Sequence, residues 1–67
     1  MISMAKEIII YKPEKRMYGN EYPVHFIDNG RLVFKTVLFG NDLRYVKQAG
    51  PSGFESAKVI RKYRKGK

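Results

Sequence analysis

The sequence predicts an α+β domain: a small antiparallel sheet of three to four strands with one C-terminal helix packed on it. Three observations predict it. Residues 22–28 and 31–39 are two runs rich in β-branched and aromatic side chains, and they flank Asn29-Gly30. That dipeptide signals a hairpin, because a type I′ turn needs positive φ at both central residues and Asn and Gly tolerate it. Ile8-Ile9-Ile10 is a short continuous apolar run, the pattern of a strand covered on both sides. Finally, Phe54, Ala57, Ile60 and Tyr63 recur every three residues behind Ser52 and Glu55, which have the spacing of a helix capping box. A small SH3-like or OB-like barrel closed by the same helix is the alternative.

In chain order, residues 1–5 are expected to be a loose N-terminus. Residues 6–11, KEIIIY, read as the first strand, and Pro13 ends it because it cannot donate to a ladder. Residues 13–21 form a loop or wide turn with its tip at Gly19-Asn20. There Lys15, Arg16 and Tyr18 are either solvated or part of a binding surface. The hairpin follows. With a two-residue loop, Asp28 faces Arg31, Ile27 faces Leu32, Phe26 faces Val33 and His25 faces Phe34. Pro23 lacks a donor, which predicts that its end of the strand lies on a sheet edge. Gly40-Asn41 makes the next turn. Residues 42–48, DLRYVKQ, read as a third meander strand with Leu43 and Tyr45 on one side. Gly50-Pro51-Ser52-Gly53 then leads into the helix, whose wheel leaves Lys58, Arg61, Lys62 and Lys65 solvated.

The order of three strands and a helix is similar in outline to small domains that lay a sheet into the DNA major groove, such as plant AP2 domains and integrase N-terminal domains. The likeness is one of architecture, and fold does not fix function. The hairpin faces bear on function more directly. Val33, Lys35 and Val37 fall on the side of Phe26, and Phe34, Thr36 and Leu38 on the side of His25, so neither face is plainly polar. The economical reading covers both faces, since apolar strand residues are usually core. The sharper reading leaves one face open, presenting aromatics and Lys35 to a ligand.

Residues 1–67 make a single small basic domain, with 64–67 as a basic tail. A chain of this length buries only about 60% of its unfolded surface and is marginal alone. There is no cysteine, so no disulfide or thiolate metal site staples it. One histidine and six scattered acids make a dedicated metal site or other cofactor unexpected. No run approaches the ~20 apolar residues of a membrane span, and the N-terminal apolar run is too short for a secretory signal. The expected location is cytoplasmic.

Net charge is +8, and its distribution is uneven. Residues 1–33 carry five basic and four acidic side chains, whereas residues 34–67 carry nine and two. The last ten residues, KVIRKYRKGK, hold six cations and no acid. Such asymmetry points to a polyanion, nucleic acid first and an anionic membrane surface second. The candidate nucleic-acid-binding residues are Lys35, Arg44, Lys47, Lys58, Arg61, Lys62, Tyr63, Arg64, Lys65 and Lys67. The expected function is non-catalytic binding of DNA or RNA, with the phosphate backbone met by the basic C-terminal helix and tail, and by the sheet through Lys35, Arg44 and Lys47. The alternative is a protein–protein module, for example a viral or mobile-element protein that modulates a host enzyme, or a homodimer pairing through a sheet edge. A toxin-like ribonuclease built around His25 is the weakest reading, because no orienting partner lies near that histidine in sequence. A helix start at Gly50-Pro51-Ser52-Gly53 would offer an anion site through its free N–H groups, but a helix cap explains the segment fully.

Overall fold

A computed structural model describes residues 5–63. It is an α+β fold in which one open sheet of five strands is joined by a single short helix. The strands are β1 (Lys6–Ile10), β2 (Glu14–Arg16), β3 (Gly19–Asp28), β4 (Arg31–Phe39) and β5 (Lys58–Arg61). The helix is a 3-10 helix at Gly40–Gln48.

β3 is the central strand. β4 lies antiparallel along one side of it. On the other side, β1 pairs antiparallel with residues 24–28 and β2 with residues 19–21. β5 then adds to the far side of β1 in parallel, so the sheet is mixed rather than wholly antiparallel, and it does not close into a barrel. Pro23 therefore sits in a central strand, not at an edge. Its carbonyl accepts the Tyr11 N–H at 2.9 Å. The reciprocal bond of that pair, from residue 23 to the Tyr11 carbonyl, is the one a proline cannot make, and it falls where β1 gives way to β2.

β3 and β4 turn at Asn29-Gly30, with φ of 58° and 83°. Asp28 faces Arg31 and Ile27 faces Leu32, as expected. Beyond them the register departs from the sequence reading. A bulge between Phe26 and Ile27 leaves Val33 unpaired, so Phe26 faces Phe34 and His25 faces Lys35. One extra residue moves every later side chain of β4 to the opposite face. Phe34 gains the Phe26 ring, 5.8 Å away, and Leu38 reaches the core.

Two further expectations are corrected. Residues 42–48 are not a strand. Leu43, Val46 and Ala49 recur every three residues, and all three pack on the core. That period suits a 3-10 turn, not a strand's alternation. The Ala49 N–H donates to the Val46 carbonyl at 3.1 Å, and the helix is broken at Tyr45. Conversely, residues 58–61 are not helical. Phe54 and Ala57 enter the core from an irregular segment, and Val59-Ile60 extends beside β1. The reason lies in β1. Ile8 and Ile10 are fully buried, and the backbone of a buried strand must be bonded on both sides. The likeness in outline to three strands followed by a helix ends here, and so does an anion site at a helix start after Gly53.

The core is Ile8, Ile10, Val24 and Phe26 from one face of the sheet, roofed by Val46, Phe54 and Ala57. The Phe54 ring stands edge-on to Phe26, with centroids 5.1 Å apart. Gly50 lies flat against the same ring: a Cβ there would come within 2.7 Å of Phe26 Cζ.

Candidate functional site

Strand alternation sends the other set of side chains to the opposite face. Ile9 and Ile60 are neighbours across β1 and β5, and Ile9 faces His25 on β3. Tyr11 continues this row past the end of β1, with its ring edge 63° from the His25 plane and centroids 4.6 Å apart. None of these residues is fully buried, and among the described residues no element packs on this side. Among the described residues, the sheet thus has one roofed face and one open face.

Basic residues border the open face. At the β4 edge, Lys35 faces His25. The two share a shallow cleft of about 280 Å³ with Pro23, Thr36 and Val37. At the β5 edge, Lys58 faces Glu7, and alternation places Lys62 on the same side. The Lys62 N–H extends the ladder by donating to the Ile10 carbonyl at 2.8 Å. The bulge in β4 is what brings Lys35 here: in the unbulged register it would point to the roofed face.

The other sequence candidates are dispersed. Arg61 lies on the roofed side, opposite Ile10, and its Nε donates to the Tyr63 hydroxyl at 3.2 Å. The Tyr63 ring packs against Tyr22 at 5.1 Å and belongs to the core margin. Arg44 and Lys47 are exposed on the 3-10 helix, and the Arg44 guanidinium sits 5.8 Å from the Tyr45 ring centroid. Arg64, Lys65 and Lys67 lie outside the described residues. Tyr11 was missed by sequence reasoning, and His25 reads there as a packed or edge histidine or, less well, a base, not as part of a binding face. The signal for both was available: each stands one residue away from a core position on a predicted strand.

A second polar cluster is committed to itself. Glu21 accepts hydrogen bonds from Arg16 Nε at 2.9 Å and from the Tyr18 hydroxyl at 3.0 Å, while Arg16 also holds Glu14 at 2.9 Å. These contacts, that of Arg16 foremost, hold the Glu21 carboxyl below its usual range. In return, Glu21 raises the pKa of Arg16 and of the Tyr18 hydroxyl. The Tyr18 ring rests edge-on against Phe39, 5.4 Å between centroids. The cluster ties β2 and its turn to the end of β4, and Arg16 is not a free cation. At the hairpin tip, Asp28 Oδ1 is buried without a hydrogen-bond partner although Arg31 faces it in register. Among the described residues, no group of histidine and acidic side chains is placed to hold a metal ion, and no helix is long and apolar enough to cross a membrane.

No protein-family model matches the chain, and no significant similarity links it to a curated protein or to a solved structure.

Proposed function

We propose that this is a small, non-catalytic nucleic-acid-binding protein whose contact surface is the open face of the sheet. The observation that carries the reading is the arrangement of that face. Its middle is aromatic and aliphatic, around Tyr11 and His25, and cations stand at both edges, Lys35 on β4 and Lys58 with Lys62 on β5. Cations at the rim meet phosphates, and rings in the middle meet bases. The net charge of +8 adds long-range attraction to any polyanion. Arg44 and Lys47, on the roofed side, would contribute to that attraction without touching the same ligand.

The test is fluorescence anisotropy with labelled oligonucleotides between about 50 and 300 mM salt, the steep range of counterion release. Affinity that falls log-linearly with salt, and that drops in the variant with Lys35→Gln, Lys58→Gln and Lys62→Gln while Lys47→Gln leaves it nearly unchanged, supports the reading. Weak binding lost equally in every lysine variant means the charge is unspecific and sinks it.

A protein–protein role is favoured by one observation of its own. The β4 edge exposes Leu32, Val33, Val37 and Phe39 by 41–53%. Isolated exposed apolar residues are ordinary, but a contiguous patch marks a contact surface. A protein complex that survives high salt would favour this role over the first.

A further inference from the structure

The width and chemistry of the open face specify the form of nucleic acid it takes. Resting on the reading above, we infer that the ligand is a single strand laid across the sheet, with bases on the Tyr11–His25 centre and phosphates running toward Lys35 and the Lys58–Lys62 pair.

Size and chemistry both disfavour a duplex on this face. Between β4 and β5 lie three inter-strand gaps, so the lysine-bearing edges stand about 14 Å apart before their side chains are counted. The major groove of B-DNA is about 12 Å wide and admits a helix or a two-stranded ribbon. A face four strands wide does not enter it. As for chemistry, a duplex hides its base faces in the stack and offers phosphates outward. Phosphates pressed on the middle of this face would meet Ile9, Ile60 and the two rings, losing water without gaining a countercharge. A single strand reverses the presentation: its bases are free to stack on Tyr11 and His25 while its backbone reaches the cationic rims. Three described acids on this face oppose a phosphate: Glu14 and Glu21, which are bonded to Arg16, and Glu7. Glu7 faces Lys58 on one side and Ile27 on the other, so it offsets part of the cationic charge at the β5 edge.

The experiment compares a labelled uridine oligoribonucleotide, a thymidine oligodeoxynucleotide and a 20-base-pair duplex, with the full chain and with Tyr11→Leu, Tyr11→Phe and Glu7→Gln. Circular dichroism checks that each variant is folded. Both single strands, or one of them, are expected to bind more tightly than the duplex. Tyr11→Leu should weaken single-strand binding about 5- to 150-fold, the worth of one stacked base, and leave duplex binding unchanged. Tyr11→Phe keeps the ring and should retain binding. Glu7→Gln should tighten binding and steepen its salt dependence. Equal or tighter duplex binding, indifferent to Tyr11, overturns the single-strand inference and leaves the nucleic-acid reading standing. If none of the three ligands binds above background at about 150 mM salt, the nucleic-acid reading itself falls.

Discussion

Phe26 is fully buried, and Phe34, Phe54 and Gly50 all pack on its ring. Truncation at such a site costs about 3–5 kcal/mol, comparable to the whole stability of a core this small. Phe26→Ala is therefore expected to leave the chain largely unfolded at 25 °C by circular dichroism. Gly50→Ala adds a methyl where the nearest ring atom would be 2.7 Å away, and the ring is held on its other sides. A loss of about 1–3 kcal/mol by urea denaturation is expected, the usual range for overpacking. The Glu21 cluster gives a pH signature. Its folded carboxyl titrates below the unfolded one, so it stabilises the fold above the ordinary carboxylate range. That contribution disappears as pH falls through the folded value. Glu21→Gln should thus lower the thermal midpoint at pH 7 and make no difference in strong acid. An equal deficit at both pH values would mean the hydrogen bonds, not the charge, carry the effect.

At the scale of elements, β5 is the sharpest claim. Amide exchange and nuclear Overhauser contacts decide it: protons of Ile60 should lie near those of Ile9, and the Lys62 amide should exchange slowly because it bonds to Ile10. Helical sequential contacts across residues 58–61 would contradict the strand. The hairpin turn is a second element-scale test. Gly30 holds φ of 83°, and Gly30→Ala should cost about 1–2 kcal/mol because a Cβ is crowded in that conformation. The hairpin was legible because its two turn residues and its flanking runs act locally. The identity of residues 42–48 and 58–61 was not, and the two assignments failed in opposite senses. Leu43, Val46 and Ala49 share a period of three that a window of seven residues barely separates from a strand's alternation. The period of three in Phe54, Ala57, Ile60 and Tyr63 mimics a helical stripe, but Ile60 lies on the open face and the other three on the roofed one.

Among the described residues, the sheet has a roofed face, an open face and a β4 edge that pairs with no further strand. Such an edge is a template for pairing, and Lys35 near its middle is the kind of charge that blunts it. Lys35→Val is expected to make the protein associate at lower concentration, read by sedimentation velocity. A mutant that stays monomeric would show that the edge is protected otherwise. The same lysine serves the proposed ligand, so Lys35→Gln should reduce the log–log salt slope for a single strand by about 0.7 without promoting association to the same degree.

By itself, the sequence determined the class of the domain, the hairpin, its turn and its first facing pairs, the first strand, and a basic character concentrated toward the C-terminus. Each of these depends on neighbours within a few positions of one another. It also supplied the site's residue types without their grouping. Only the tertiary structure decided that the C-terminal segment would run beside β1, because the need for a partner arises on a strand some fifty residues away in sequence. It also decided that Lys35 would share a face with His25, because a single unpaired residue, Val33, inverts the strand beyond it. The open face is a consequence of both: the segment that a helix would have used to cover the sheet instead widens it.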